Sequence, residues 1–188
     1  MDLTRRDVGL FSPYAKEVRE LYLRAFPEVE RMPLWLLRLN ALRPSAHLEA
    51  YLDGETFAGL TYSVRCDKGV YLLYLAVNDA VRSRGYGTRI LDALKAEAGK
   101  SPLALDVEIP SDDAPNNEQR LRRIEFYRRS GITDTGVTLE EPATSYRVLS
   151  TRPDIDPAHV RVLLNRLSLG FYRPKIQTRA RSEGRLLS

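Results

Sequence analysis

The segment Arg82-Ser83-Arg84-Gly85-Tyr86-Gly87-Thr88 has the composition of a turn that could hold a phosphate. Glycine permits positive φ, so such a turn can aim successive N–H groups into one concavity, and it leaves no side chain where an anion approaches. A helix starting directly afterwards adds unpaired N–H groups and a partial positive charge. Arg82, Arg84 and Arg89 surround the same turn with cations. The alternative is a tight strand-to-helix turn with solvated arginines. Metal chemistry has little support, because two histidines and the single Cys66 make a poor set of soft ligands.

Positioning this turn requires a strand before it and a helix after it. Tyr71 to Val77 is a near-continuous apolar run, as expected of a central strand covered on both faces. After the turn, Ile90, Leu91, Leu94 and Ala98 fall on one helical face. Upstream, Ser12-Pro13 opens a predicted helix carrying Val18, Leu21, Tyr22 and Ala25, and a second helix fits Leu34 to Leu42. His47–Tyr51 and Phe57–Val64 read as strands joined at Asp53-Gly54, so three strands form a meander before the turn. Downstream come a strand over Leu103–Ile109 and a polar loop to Asn117. A helix over Glu118–Ser130 follows, with Leu121, Ile124 and Tyr127 inward and Arg120, Arg122, Arg123, Arg128 and Arg129 around it. Ile132–Leu139 and Ser145–Leu149 fit a closing antiparallel pair around Glu140-Glu141-Pro142. Asp156-Pro157 starts a last helix to Leu169 whose Val160, Leu163, Leu164 and Leu167 either close the core or pair with a second subunit.

Taken in order, the strand ending Leu75-Ala76-Val77, the Arg82-x-x-Gly85-x-Gly87 turn, the helix, the Leu103–Val107 strand and the Phe126-Tyr127 helix stopped by Gly131 resemble the GNAT family of N-acetyltransferases. The resemblance covers roughly Leu48 to Val148. Ala25-Phe26-Pro27, Glu30-Arg31-Met32-Pro33 and Val107-Glu108-Ile109-Pro110 are similar to a bacterial subgroup. It implies an α/β (α+β) fold with a central mixed, mostly antiparallel sheet flanked by helices, and acetyl-CoA as acyl donor to a primary amine in a ternary complex. By the same resemblance, a backbone N–H near Leu75, Ala76 and Val77 meets the thioester carbonyl where two strands splay apart, and Arg82, Arg84, Gly85, Tyr86, Gly87 and Thr88 form the cofactor-binding loop. Tyr127 stands where the family's tyrosine protonates the departing thiolate, Trp35 and its neighbours near the acceptor pocket or in the core.

Two positions depart from the family pattern. Leu73 stands where relatives often carry a glutamate base, leaving Glu108, at the end of the neighbouring strand among apolar residues, as the best remaining carboxylate, or else a water chain. Arg120 stands where a helix asparagine is frequent.

The sequence is 188 residues long with a net charge of +4, and suits one domain over 1–172 followed by a basic, flexible tail over 173–188. A start lacking an apolar signal core, no membrane-length apolar run and the lone cysteine suit a cytoplasmic protein without membrane contact. The partners expected are acetyl-CoA and an amine acceptor, in a monomer or homodimer. Two other readings are an acyl-CoA-binding regulatory module that has lost its base, and an RNA- or ribosome-associated protein using the arginine-rich helix and tail.

Overall fold

The apolar run Gly69–Val77 is buried because helices cover both faces of the sheet it crosses. The computed structural model describes residues 3–9, 11–141, 144–168 and 174–178. In chain order the elements are β1 (Thr4–Asp7), α1 (Ala15–Ala25), α2 (Leu34–Asn40), β2 (Ala46–Asp53), β3 (Thr56–Cys66), β4 (Gly69–Val77), α3 (Tyr86–Ala98), β5 (Leu103–Glu108), α4 (Asn117–Arg129), β6 (Thr133–Glu140), β7 (Ser145–Ser150), α5 (Pro157–Ser168) and β8 (Lys175–Thr178). They build one sheet ordered β1-β2-β3-β4-β5-β7-β6-β8, in which only β4 and β5 pair in parallel.

Two cores result. On one face α1, α2 and α5 bury Val18, Leu21, Tyr22, Leu37, Val160 and Leu163 against Leu60, Tyr62, Tyr71 and Tyr74. On the other, Ile90, Leu91 and Leu94 of α3 and Tyr127 of α4 pack on Leu72, Leu103, Leu105 and Val107. Each buried leucine or isoleucine of α3 contributes about 1.5–3 kcal/mol, and the docking of this helix fixes the turn at its N-terminus. Asp156 caps α5 by accepting the Ala158 N–H at 2.8 Å, and Pro157 supplies a preset φ at the first helical position. The residues Val160, Leu163, Leu164 and Leu167 close the core.

A bulge in the central strand shapes the region ahead of the turn. Tyr62 of β3 faces Tyr74, but the next residue, Ser63, faces Leu72, so Leu73 is an extra residue in β4. Leu73 and Tyr74 consequently both pack against the same core, where an unbroken strand would send them to opposite faces. Parallel pairing with β5 covers only Val70–Leu72 against Leu103–Leu105. From Leu73 onward the edge of β4 that faces β5 has no strand partner among the described residues, while β5 continues its pairing with β7.

Several expectations change. Ser12 does not cap α1, which begins after Tyr14 without a side-chain cap; the Ser12 hydroxyl accepts the Tyr14 N–H instead. Leu121 faces solvent at 51% exposure, and Trp35 at 67% exposure lies in neither core. β1 has no apolar pattern of its own and forms as an edge partner of β2. Lys175–Thr178, within the segment read as a flexible tail, pairs with β6 as the opposite edge strand. Pro142, Leu169, Phe171 to Arg173 and the tail from residue 179 lie outside the described residues. No described helix is long and apolar enough to cross a membrane.

Candidate active site

The glycine-bearing turn has the local geometry that its composition suggests. Ser83 and Gly85 both have positive φ, 64° and 75°, and Gly85 is the N-cap of α3. A glycine N-cap brings no side chain to occupy the first helical N–H groups, and a Cβ added at Gly85 would meet nothing within 4 Å. Thr88 lies exposed in the first turn of α3 and Arg84 is exposed beside it. The concavity and the helix end are thus open to an anion.

The other residues expected at this turn divide by what their side chains touch. Gly87 serves packing: a Cβ there would come within 3.0 Å of the Phe126 ring, so its small size lets α3 and α4 approach. The buried Tyr86 turns away from the turn, and its hydroxyl donates to Asp53 at 2.9 Å. Arg89 joins the same carboxylate at 3.0 Å and lies over the Tyr86 ring. Together they hold Asp53 below the usual carboxylate range and tie α3 to the β2–β3 hairpin. Arg82 pairs with Asp79, which also accepts from Arg24. What Tyr86 and Gly87 offer to the concavity of the turn is therefore backbone.

The gap between β4 and β5 leads inward from the turn. Leu75, Ala76 and Val77 line it together with Arg82, Asp106, Arg123 and Tyr127, around a cavity of about 230 Å3. The β4 edge bordering this space has no strand partner among the described residues, and an unpaired strand edge carries N–H groups of the kind that stabilise a developing oxyanion. Tyr127, on α4, is 8% exposed, and burial pushes its phenol up to about 12, with Asp106 adding to the rise and Arg123 opposing it. It is thus protonated at neutral pH.

A second cavity of about 370 Å3 adjoins the first on the α1, α2 and α5 face and shares Phe26, Leu73, Asp106 and Arg123 with it. Its wall includes Tyr74, whose hydroxyl donates to the Glu30 carbonyl at 2.8 Å and accepts the Met32 N–H at 3.0 Å. Tyr22 packs edge-on against Tyr74 and donates to the Met32 carbonyl at 2.9 Å, so the aromatic cluster clamps the α1–α2 connection over the cavity. Four carboxylates line it: Glu30, Asp106, Glu108 and Glu141. Burial, reinforced by Glu108, raises the Glu30 carboxyl, and burial with the nearby carboxylates pushes Tyr146 up to about 12. Trp35 is absent from the lining.

Glu108 is placed at this cavity but is engaged by Arg120, which reaches it at 2.8 Å while a second guanidinium nitrogen donates to the Ile109 carbonyl at 2.9 Å. Arg120, at the family's asparagine position, thereby pairs with Oε1 of Glu108, while Oε2 is buried without a hydrogen-bond partner. Sequence reasoning missed Asp106, which stands one residue beyond the last β4–β5 pair, on the same face as Leu73. The available signal was a lone aspartate within the apolar run Leu103–Val107. The Tyr71 hydroxyl donates to its Oδ1, and burial pushes its carboxyl up to about 6, with Glu141 adding and Tyr71 and Arg123 opposing.

Much of the basic surface of α4 is neutralised locally. Arg122 pairs with Glu118, and Arg128 and Arg129 with Glu125. Among the described residues one group of possible metal ligands, Asp7, His47 and Glu49, lies within 4.8 Å. Arg5 and Arg65 already pair with Glu49 there, so two cations oppose a third.

A family profile described as "Acetyltransferase (GNAT) family" matches residues 15–132. No curated protein sequence matches the chain. Among solved structures, a GNAT-family protein from Bacteroides thetaiotaomicron superposes with a TM-score of 0.72 at 24% identity, covering 90% of this chain and 99% of its own. An aminoglycoside 6′-N-acetyltransferase complexed with coenzyme A gives 0.58 at 16% identity, over 78% and 95% of the two chains. A GNAT-family acetyltransferase from Elizabethkingia anophelis with acetyl-CoA bound gives 0.54 at 13%, over 80% and 98%. At these identities the structural likenesses establish the fold.

Proposed function

Since the chain belongs to the GNAT acetyltransferase family, we propose that it transfers an acetyl group from acetyl-CoA to a primary amine by direct attack in a ternary complex. The observation that carries this reading is the continuous path from the Gly85 turn, along the unpaired edge of β4, into the cavity beyond the splay. The pyrophosphate lies against the Ser83–Gly85 concavity and the first N–H groups of α3, with Arg84 near it. The pantetheine arm follows Val77, Ala76 and Leu75 into the gap. A β4 N–H receives the thioester carbonyl oxygen as negative charge develops on it.

Tyr127 returns a proton to the leaving thiolate; its raised pKa keeps the phenol in the protonated form at neutral pH. The amine enters from the cavity under α1, α2 and α5. Its four carboxylates against one lining guanidinium, Arg123, favour an acceptor that arrives as a cation. The reaction's cofactor chemistry and the lone cysteine suit a cytoplasmic location.

Calorimetry of acetyl-CoA, and of CoA lacking its 3′-phosphate, tests the donor site. Wild type is expected to bind acetyl-CoA in the micromolar range and Gly85→Glu to lose at least tenfold, because the new carboxylate fills the anion site and strains a positive φ. Absence of binding to folded wild-type protein would overturn the reading. A panel of primary amines with thiol release as readout then identifies the acceptor.

A further inference from the structure

We propose that Asp106 is the general base, taking the proton from the acceptor ammonium at the junction of the two cavities. This inference rests on the acetyltransferase reading above and assigns it a residue.

Three geometric observations place Asp106 there. It lies immediately past Leu105, the last β5 residue paired with β4, so its carboxylate stands where the strands part. It borders both cavities, and of the four carboxylates around the acceptor cavity it alone also borders the acyl channel. It is held in place, since the Tyr71 hydroxyl from β4 donates to Oδ1, which leaves Oδ2 to receive a proton. Leu73, bulged out of β4 on the same face, offers an apolar surface beside it.

The charged and titratable groups around Asp106 are consistent with this role. Tyr71 and Tyr74 face it from β4, Glu108 from its own strand, Tyr127 and Arg123 from α4, Glu141 and Tyr146 from the β6–β7 side, and Glu30 from the α1–α2 connection. Burial and Glu141 outweigh Tyr71 and Arg123, so the carboxyl titrates near 6, ionised at neutral pH yet far more basic than a solvated aspartate. Glu108, by contrast, is paired with the Arg120 guanidinium through Oε1 and does not border the acyl channel.

The step balances as follows. The ammonium gives one proton to Asp106 Oδ2, and the freed nitrogen lone pair forms the C–N bond to the thioester carbon. As the tetrahedral intermediate collapses, the C–S bond breaks, the electron pair leaves with sulfur, and Tyr127 protonates the thiolate. The second nitrogen proton replaces the one given up by Tyr127, and Asp106 releases its proton to water.

The test measures wild type, Asp106→Asn and Asp106→Glu with acetyl-CoA and two probe amines: 1,4-diaminobutane, an ammonium at pH 7, and methoxyamine, already neutral there. Asp106→Asn is expected to lose about 10²- to 10⁴-fold in kcat/KM with diaminobutane, to lose less than tenfold with methoxyamine, and to bind acetyl-CoA as wild type does. Asp106→Glu should recover part of the loss, and the acid limb of the wild-type pH–rate profile should vanish in Asp106→Asn. Equal losses with both amines would make Asp106 a structural residue and overturn the proposal. Independently of turnover, the Asp106 carboxyl carbon should titrate near 6 by NMR in the folded protein, and a midpoint near 4 would overturn it too. Wild type that binds acetyl-CoA and acetylates methoxyamine while Asp106→Asn handles diaminobutane equally well refutes the base alone. Wild type inert with every amine refutes the acyltransferase reading itself.

Discussion

Replacing Asp106 with asparagine should stabilise the folded protein at neutral pH. The carboxyl is shifted from an ordinary value of 3.8 to about 6 in the folded chain, chiefly by burial. At ~1.36 kcal/mol per unit, this shift of roughly two units corresponds to about 3 kcal/mol by which the folded state disfavours the ionised form. The folded state binds more protons than the unfolded state between pH 4 and 6, so the wild type loses stability as pH rises through that window. Below pH 4 both states carry the proton and nothing is lost. Asparagine resembles the protonated acid, being neutral and keeping an acceptor oxygen for the Tyr71 hydroxyl. The difference between variant and wild type should therefore be near zero at pH 3.5 and grow to roughly 2–3 kcal/mol above pH 6.5, about 4–12 °C in Tm for a chain of this size. Urea denaturation of both proteins at half-unit pH steps gives the curve directly. A difference that stays flat with pH, or a variant less stable than wild type at pH 7, would refute the assignment of a destabilised carboxylate to this position. If stability rises while turnover with ammonium substrates falls, strain is held at the site for its chemistry.

Other outcomes follow from the same contacts. Tyr71→Phe removes the hydrogen bond that lowers the Asp106 carboxyl, so the acid limb of kcat/KM should move to higher pH; a limb that is unmoved or displaced to lower pH counts against the pairing. In Tyr127→Phe, kcat should fall about 100-fold with acetyl-CoA affinity by calorimetry unchanged, and undiminished kcat would remove Tyr127 from the mechanism.

Features set by neighbours in the chain were legible in the sequence. The strand, the Gly85 turn and α3 lie consecutively, and the positive φ that the turn requires is a property of glycine itself, so Arg82 to Thr88 could be read before any tertiary contact was known. The meander β2–β3–β4, the Asp156-Pro157 start of α5 and the inward Tyr127 were likewise carried by local turn chemistry and periodicity. Roles that depend on partners distant in sequence were not. The sequence does not say that Tyr86 directs its side chain to Asp53, that Gly87 makes room for Phe126, or that Arg120 pairs with Glu108, because each contact is made by strands and helices meeting in the assembled fold. β1 and β8, four residues each, exist only because β2 and β6 offer them an edge. Leu73 removes a carboxylate from β4, but only the bulge there, and the parting of β4 from β5 after Leu105, decide that Asp106 faces the opened space. An aspartate in an apolar strand acquires its chemistry from burial and from the hydroxyl aimed at it, and both are supplied by the assembled fold.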